Sequence, residues 1–244
     1  MIDFSMLLIN NNRSKAYLQN LVKNNFIPKK IIVLNDNGIH LPEHSENDKT
    51  VSKNTKQKFI RKSNDLDISF DEKEHILSTI KKHSINHIIL NTSNINDKNV
   101  INEVANIKTT YIIYSGPGGT ILRKDILSQE KEFIHVHPGW LPRYRGSTTI
   151  YYSMLVNFEI GASVILLKEG LDEGPILYKK KYKIEEKGID FDYVLDPTVR
   201  ARALIDFFKQ NKIELTEQDK EQNTTFYIVH PFIKHASILK YNNK

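Results

Sequence analysis

The amino-acid sequence predicts an α/β fold: a Rossmann-like, mainly parallel central sheet flanked by helices, with a small C-terminal extension. Three observations carry this. Short apolar runs recur near residues 5–9, 30–34, 87–90, 110–114 and 133–137, the length and pattern of strands covered on both faces. Amphipathic helical stretches separate most of them, which is the β–α–β alternation of a parallel sheet. The 244 residues are 39% hydrophobic, enough for one large domain or one domain with an appendage. The expected division is a main domain over residues 1–190 and a helix-and-strand extension over 191–244 packed on it.

The elements follow in order. Residues 5–9 are the first strand. Asn10 to Arg13 turn the chain, and Ser14 is placed to cap a helix bearing Tyr17, Leu18, Leu21 and Val22. The turn has no glycine, so the Gly-x-Gly dinucleotide fingerprint is absent. The helix N-terminus still offers N–H groups to an anion, with Arg13 or Lys15 beside it. Residues 30–34 are the second strand. Residues 40–67 are polar and lysine-rich, read as surface loop with a short helix near 56–61. His40 and His44 have no third ligand nearby and read as solvated. Asp71, Glu72 and Glu74 open a helix, acids suiting its dipole, with Ile76, Leu77 and Ile80 on its apolar side. Residues 87–90 are a strand, and 98–107 a helix with Val100, Ile101 and Val104 inward. The strand at 110–114 leaves through Ser115, Gly116, Pro117, Gly118, Gly119 and Thr120. In open α/β sheets the site lies at the carboxyl ends of the strands, and a glycine-rich exit there lets a flat ligand approach the backbone. A short helix at 125–129 precedes the strand that contains His135 and His137.

Those two histidines stand two residues apart, so they face one side of their strand. Pro138 and Gly139 end it. A loop with Pro142, Arg143, Arg145 and Gly146 follows, and Ser147 is placed to cap a helix through Tyr151, Tyr152 and Leu155. Residues 163–168 read as a strand and 169–174 as a glycine-bounded loop, from which Asp172 is placed beside His137. Ile176, Tyr178 and Tyr182 alternate along a hairpin partner at 175–184. Asp196 and Pro197 start a helix with Val199, Ala203, Leu204, Phe207 and Phe208 inward. Arg200 there can reach a phosphate or form an ion pair, the commoner fate. A strand at 225–229 and an apolar end through Ile238 close the chain, and they suggest a homodimer.

Composition excludes several classes. There is no cysteine, hence no disulfide and no thiolate metal site. No run is long and apolar enough to span a membrane, and the first residues lack a basic-then-apolar leader, so a soluble cytoplasmic protein is expected. The net charge is +6, but the lysines are scattered among acids instead of clustered with aromatics. A nucleic-acid partner is not expected.

The run His135-Val136-His137-Pro138, then Leu141-Pro142 and Arg145-Gly146, then Gly170-Leu171-Asp172-Glu173-Gly174, resembles the 10-formyltetrahydrofolate-dependent formyltransferases. That family includes methionyl-tRNA, glycinamide ribonucleotide and sugar-nucleotide enzymes. Its pattern is Asn-x-His, Leu-Pro-x-x-Arg-Gly and Gly-Leu-Asp-x-Gly. His135 stands where the family has asparagine. The resemblance implies the formyltransferase fold and transfer of a formyl group from 10-formyltetrahydrofolate to an amine, with no metal. It implies His137 as base or proton shuttle, Asp172 orienting it, and His135 as donor to the formyl oxygen. It places the folate along Gly116, Gly118, Gly119, Thr120, Ile121, Leu122, Gly170 and Leu171. The missing glycines after the first strand disfavour the glycinamide enzyme. The chain seems short for the additional domain of the methionyl-tRNA enzyme. A nucleotide-linked amino sugar is the favoured small-molecule acceptor, met by Trp140, Tyr144 and Tyr151 through stacking and by Arg13, Arg143 or Arg145 through phosphate. Three alternatives stay open: a formyltetrahydrofolate hydrolase or another acyl transferase, a methionyl-tRNA formyltransferase-like protein, and a non-catalytic folate- or nucleotide-binding protein.

Overall fold

The first strand, β1 (Phe4–Leu8), is buried at all five positions, as a strand covered on both faces must be. In the computed structural model, which describes residues 2–35, 68–219 and 224–243, it is an interior strand of a seven-stranded sheet. Its flanks are β2 (Ile31–Leu34) and β4 (Tyr111–Ser115), both parallel to it. Beyond β2 lies β3 (His87–Leu90), and beyond β4 lies β5 (Glu132–His137), again parallel. β7 (Ile160–Leu166) runs antiparallel to β5, and β8 (Ile176–Tyr182) antiparallel to β7. The order is therefore β3-β2-β1-β4-β5-β7-β8. The chain moves outward from β1 to β3, then returns to the other side of β1 for β4. That reversal is the switch point at which such sheets hold their ligands.

Helices cover both faces. α1 (Asn12–Lys23), α2 (Ile76–Lys82) and α6 (Asp196–Gln210) bury Leu18, Ile80 and Phe207 against one face, with Met6, Ile113, Ile134 and Val164 of the sheet. α3 (Lys98–Ala105) and α4 (Lys124–Leu127) bury Val104 and Ile126 against Leu7, Ile32 and Ile112 on the other. Each fully buried aliphatic side chain contributes about 1.5–3 kcal/mol to this packing. α5 (Thr149–Asn157) and α7 (Pro231–Asn242) pack on each other beside the first face. A short ribbon joins β6 (Arg145–Gly146) to β9 (Thr225–Phe226) in parallel.

Several elements start elsewhere than expected. Asn11, not Ser14, caps α1: its side chain accepts from Ser14 N–H, and the Ser14 hydroxyl is buried against Ser115. α2 opens at Ile76 with His75 as its cap. Asp71 and Glu74 lie ahead of it, bonded to the Lys73 amide and the Thr79 hydroxyl, local bonds that compete with helix formation. Ser147 gives its amide to Phe226, so α5 begins only at Thr149. The late strand stops at Phe226, because Tyr227 and Ile228 are exposed and meet no sheet. A π-helical turn (Phe191–Leu195) runs directly into α6, so Asp196 continues a helix instead of opening one. The expected loop at 40–67, with its short helix near 56–61, lies outside the described residues.

Candidate functional site

β5 ends the site's central strand. Its odd residues face the α3 and α4 side, where Phe133 packs, while Ile134 and Val136 face α6. His135 and His137 follow Phe133 on that side. Across the ladder they pair with Ile165 and Ser163. β7 ends level with Ile134, and the connection that follows it brings Asp172 to His137.

The two side chains meet. His137 is 1% exposed and Asp172 8%, and Nδ1 lies 3.3 Å from Oδ2. The other ring nitrogen, Nε2, lies 2.6 Å from the Tyr144 carbonyl and 3.2 Å from the Thr149 hydroxyl. That hydroxyl donates to the Pro138 carbonyl over 2.8 Å, so it faces the ring as an acceptor. Burial holds the His137 pKa below the ordinary histidine value, with Asp172 opposing. Both ring nitrogens thus face acceptors, while burial favours the uncharged ring.

Asp172 is held from both sides of its own backbone. Gly146 N–H donates to Oδ2 over 3.0 Å. Gln218 Nε2 donates to the Asp172 and Gly174 carbonyls, each over 2.7 Å. Asp172 adopts a left-handed φ of 52°, which aspartate tolerates better than most residues. At Gly174 a Cβ would fall 1.7 Å from the Leu166 carbonyl oxygen, so the loop closes this tightly only on glycine.

His135 is half-buried on the same strand. Burial, then the Arg200 and Arg13 cations, hold its pKa well below the ordinary value. Among the described residues its Nδ1 is buried without a hydrogen-bond partner, and so is the hydroxyl of Tyr114, whose ring centroid is 6.3 Å away. The Tyr114 phenol folds under Gly116, where a Cβ would fall 2.4 Å from the ring. Gly118 and Gly119 have open space on their Cβ side, and Ile121 is 62% exposed. Thr120 lies between them, half-buried. Asn96 pins this turn through the Ile121 carbonyl and the Arg123 amide. On the Asp172 loop Gly170 is half-buried under Glu173, and Leu171 is exposed.

Other expected contacts take a different form. Tyr151 is a core residue: its ring stacks on Phe191 at 5.3 Å and its hydroxyl donates to Asp192 over 2.6 Å. Leu122 is buried in the apolar cluster with Val100 and Ile126. The Tyr144 side chain is buried, accepting from Asn157 at its hydroxyl, and it is the backbone carbonyl that reaches His137. Arg145 is buried and pairs with Glu173 at 3.1 Å. Arg13 donates to the Ser115 hydroxyl and the Gly116 carbonyl, tying α1 to the glycine turn. Trp140 lies under two ammonium groups, Lys179 at 4.5 Å and Lys181 at 4.8 Å, while Arg143 is exposed. Thr149, Gln218 and the Gly146 amide were not expected in the site. Their contacts are made by groups that carry no motif.

A buried histidine–carboxylate pair at the carboxyl end of β5, in a doubly wound sheet, defines a class of proton-handling transferase or hydrolase sites. The chain belongs to the formyl transferase family, whose N-terminal domain model matches residues 26–191. A methionyl-tRNA formyltransferase of Campylobacter lari is 31% identical over 136 residues, which are 55% of this chain and 43% of that protein. One from a Wolbachia of Culex pipiens is 47% identical over 70 residues, 28% of this chain and 23% of that protein. The chain thus spans less than half the length of these relatives. Among solved structures, a sugar N-formyltransferase from Shewanella has a TM-score of 0.55 at 13% identity, covering 99% of this chain and 88% of that one. The Helicobacter canadensis N-formyltransferase, solved with folinic acid and dTDP-3-aminofucose, has a TM-score of 0.56 at 18% identity, covering 99% and 81%. These likenesses establish the shared fold.

Proposed function

We propose that this chain moves a formyl group from 10-formyltetrahydrofolate to the amine of a nucleotide-linked amino sugar. The observation that carries the reading is the buried 3.3 Å approach of His137 to Asp172. Family membership supports it, and so does the bound pair in the Helicobacter canadensis neighbour. The residues present fit a folate: two buried polar atoms, Tyr114 Oη and His135 Nδ1, lack partners, and the turn beside them is open at Gly118 and Gly119. Thr120, Ile121, Gly170 and Leu171 would border it.

The folate supplies the formyl group as an activated acyl donor. In the structure Nε2 of His137 faces two acceptors and so carries a ring proton. With the proton moved to Nδ1, where Asp172 accepts it, Nε2 is free to take a proton from the attacking amine. The Tyr144 carbonyl stays beside that nitrogen and would accept the second N–H of the amine. His135 gives its ring N–H to the formyl oxygen as negative charge builds there. When the carbon–nitrogen bond to the folate breaks, His137 returns its proton to the departing nitrogen. Trp140 and Arg143 lie on the loop beyond His137 and would meet the nucleotide. Residues 1–190 would form the catalytic unit, with α6, β9 and α7 as its extension.

The curated relatives favour a second acceptor, methionyl-tRNA. One assay separates the two. The purified chain is given 10-formyltetrahydrofolate with dTDP-linked 3-amino and 4-amino sugars, or with methionyl-tRNA, and tetrahydrofolate release is measured. Release with a sugar that disappears in His137→Gln is expected. Release with methionyl-tRNA alone would replace the acceptor, and release with no acceptor would make the chain a hydrolase. No release in any arm would refute formyl transfer.

A further inference from the structure

We propose that residues 225–229 are a strap that positions the His137–Asp172 pair. The inference rests on reading that pair as catalytic. It begins from an alternation along residues 144–149. Three groups in this stretch point inward and hold the pair: the Tyr144 carbonyl and Thr149 hydroxyl at Nε2, and the Gly146 amide at Oδ2. The groups between them are fastened outward to the strap. Arg145 and Gly146 pair with Thr225 and Phe226. Ser147 N–H donates to the Phe226 carbonyl over 2.8 Å, and Val229 N–H donates to the Thr148 hydroxyl over 2.8 Å. The Phe226 ring packs on Tyr144 and Tyr152, with centroids 5.5 and 4.7 Å away.

Gly146 shows how close the fastening is. Its φ is +105°, and a Cβ there would fall 2.1 Å from the Phe226 carbonyl oxygen. Side chains avoid that conformation, and the strap leaves no space for one. The stretch is not fastened by its own helix instead. Thr148, the residue before α5, has a left-handed φ of 49° and makes no capping bond to the helix. Its hydroxyl serves Val229. Core burial anchors only the far end of the strap, at Val229, while Tyr227 and Ile228 are 77% and 79% exposed. Between its ends, backbone bonds and the Phe226 ring attach it, and they attach it to the six residues that define the geometry of the pair.

The test uses the full chain and two readouts. Gly146→Ala forces the Phe226 carbonyl away. Phe226→Ala removes the ring and leaves the ladder, and Phe226→Tyr restores the ring. The His137 ring is followed by NMR through a pH titration, its signal identified by its loss in His137→Gln. The charged groups facing it are Asp172 and Arg200, with Asp196 and His135 close by, and none of these is altered. Turnover is followed as tetrahydrofolate release. In Gly146→Ala and Phe226→Ala, native circular dichroism is expected, with the His137 midpoint moved up toward the ordinary value as water reaches the ring. Turnover kcat should fall about tenfold or more, with KM for the folate within about twofold, and Phe226→Tyr should return both. An unmoved His137 midpoint in either folded variant overturns the proposal. If Gly146→Ala does not fold, Phe226→Ala decides alone. Loss of the native spectrum in Phe226→Ala also overturns it, since the segment is then a structural one. If the midpoint moves but the wild-type chain transfers no formyl group, the strap stands and the catalytic reading falls.

Discussion

Gly146 donates its backbone N–H to Oδ2 of Asp172 over 3.0 Å. The same oxygen stands 3.3 Å from the ring of His137. One carboxylate oxygen thus ties the loop after β5 to the loop after β7, with the imidazole between them. Both the charge and the acceptor capacity of this atom are in use.

Asp172→Asn separates those two properties. An amide oxygen can still accept from Gly146, but the charge that raises the His137 pKa is gone. The acidic limb of the kcat/KM profile should move to lower pH, and kcat should fall by at least about 10²-fold, because the ring loses its preferred tautomer. A pH–rate profile of the folded variant checks both. An unchanged kcat would remove Asp172 from the reaction.

The residue at 135 can be tested by restoring the family's own choice. His135→Asn keeps a donor at the position and should retain formyl transfer within about tenfold. His135→Ala removes it and should lower kcat by about 10²–10³-fold, the usual worth of one donor to a developing oxyanion. Equal kcat for His135→Ala and the wild-type chain would place the donor elsewhere.

Arg200 makes a prediction about stability. Its side chain is 12% exposed and pairs with Asp196 at 2.9 Å. It also donates to the Val136 carbonyl over 2.7 Å, next to His137. Arg200→Ala leaves a largely buried carboxylate and a strand carbonyl without their partner, which should cost about 3–5 kcal/mol in urea unfolding. A loss below about 1 kcal/mol would mark the pair as no better than a surface one.

His135 and His137 also set a pH dependence of stability. Both have folded-state pKa values below the ordinary histidine value of about 6.5, mainly through burial. Below that pH the unfolded chain takes up protons that the folded chain refuses, so stability falls as pH drops through and under 6.5. Urea midpoints at pH 7.5 and 5.5 should therefore differ, and the difference should shrink in His135→Gln. An equal difference in that variant would assign the acid sensitivity to other groups.

The strands were legible because a parallel sheet buries both faces, which leaves uninterrupted apolar runs such as Met6-Leu7-Leu8 and Ile31-Ile32-Val33. The proximity of His137 and Asp172 was legible only through the resemblance, since spacing says nothing of how residues 167–175 fold back. Tyr151 was misread for a physical reason: an aromatic ring offers the same surface to Phe191 as to a ligand. The Tyr144 carbonyl was illegible because every residue carries one. Gln218 lies 46 residues from the carbonyl it holds, and no local pattern links them. The start of α2 moved because Asp71 accepts from the Lys73 amide within its own turn and His75 takes the cap.

β8 is the outermost strand on its side of the sheet, and it carries Lys179, Lys180 and Lys181 in succession. Their ammonium groups are engaged within the chain: Lys179 and Lys181 lie over Trp140, Lys181 also pairs with Glu159, and Lys180 pairs with Asp206. Lysines on a border strand are a common guard against edge-to-edge pairing. A strand of a second copy arriving there meets side chains already held by these contacts, so concentrated solutions should resist fibril formation from this border.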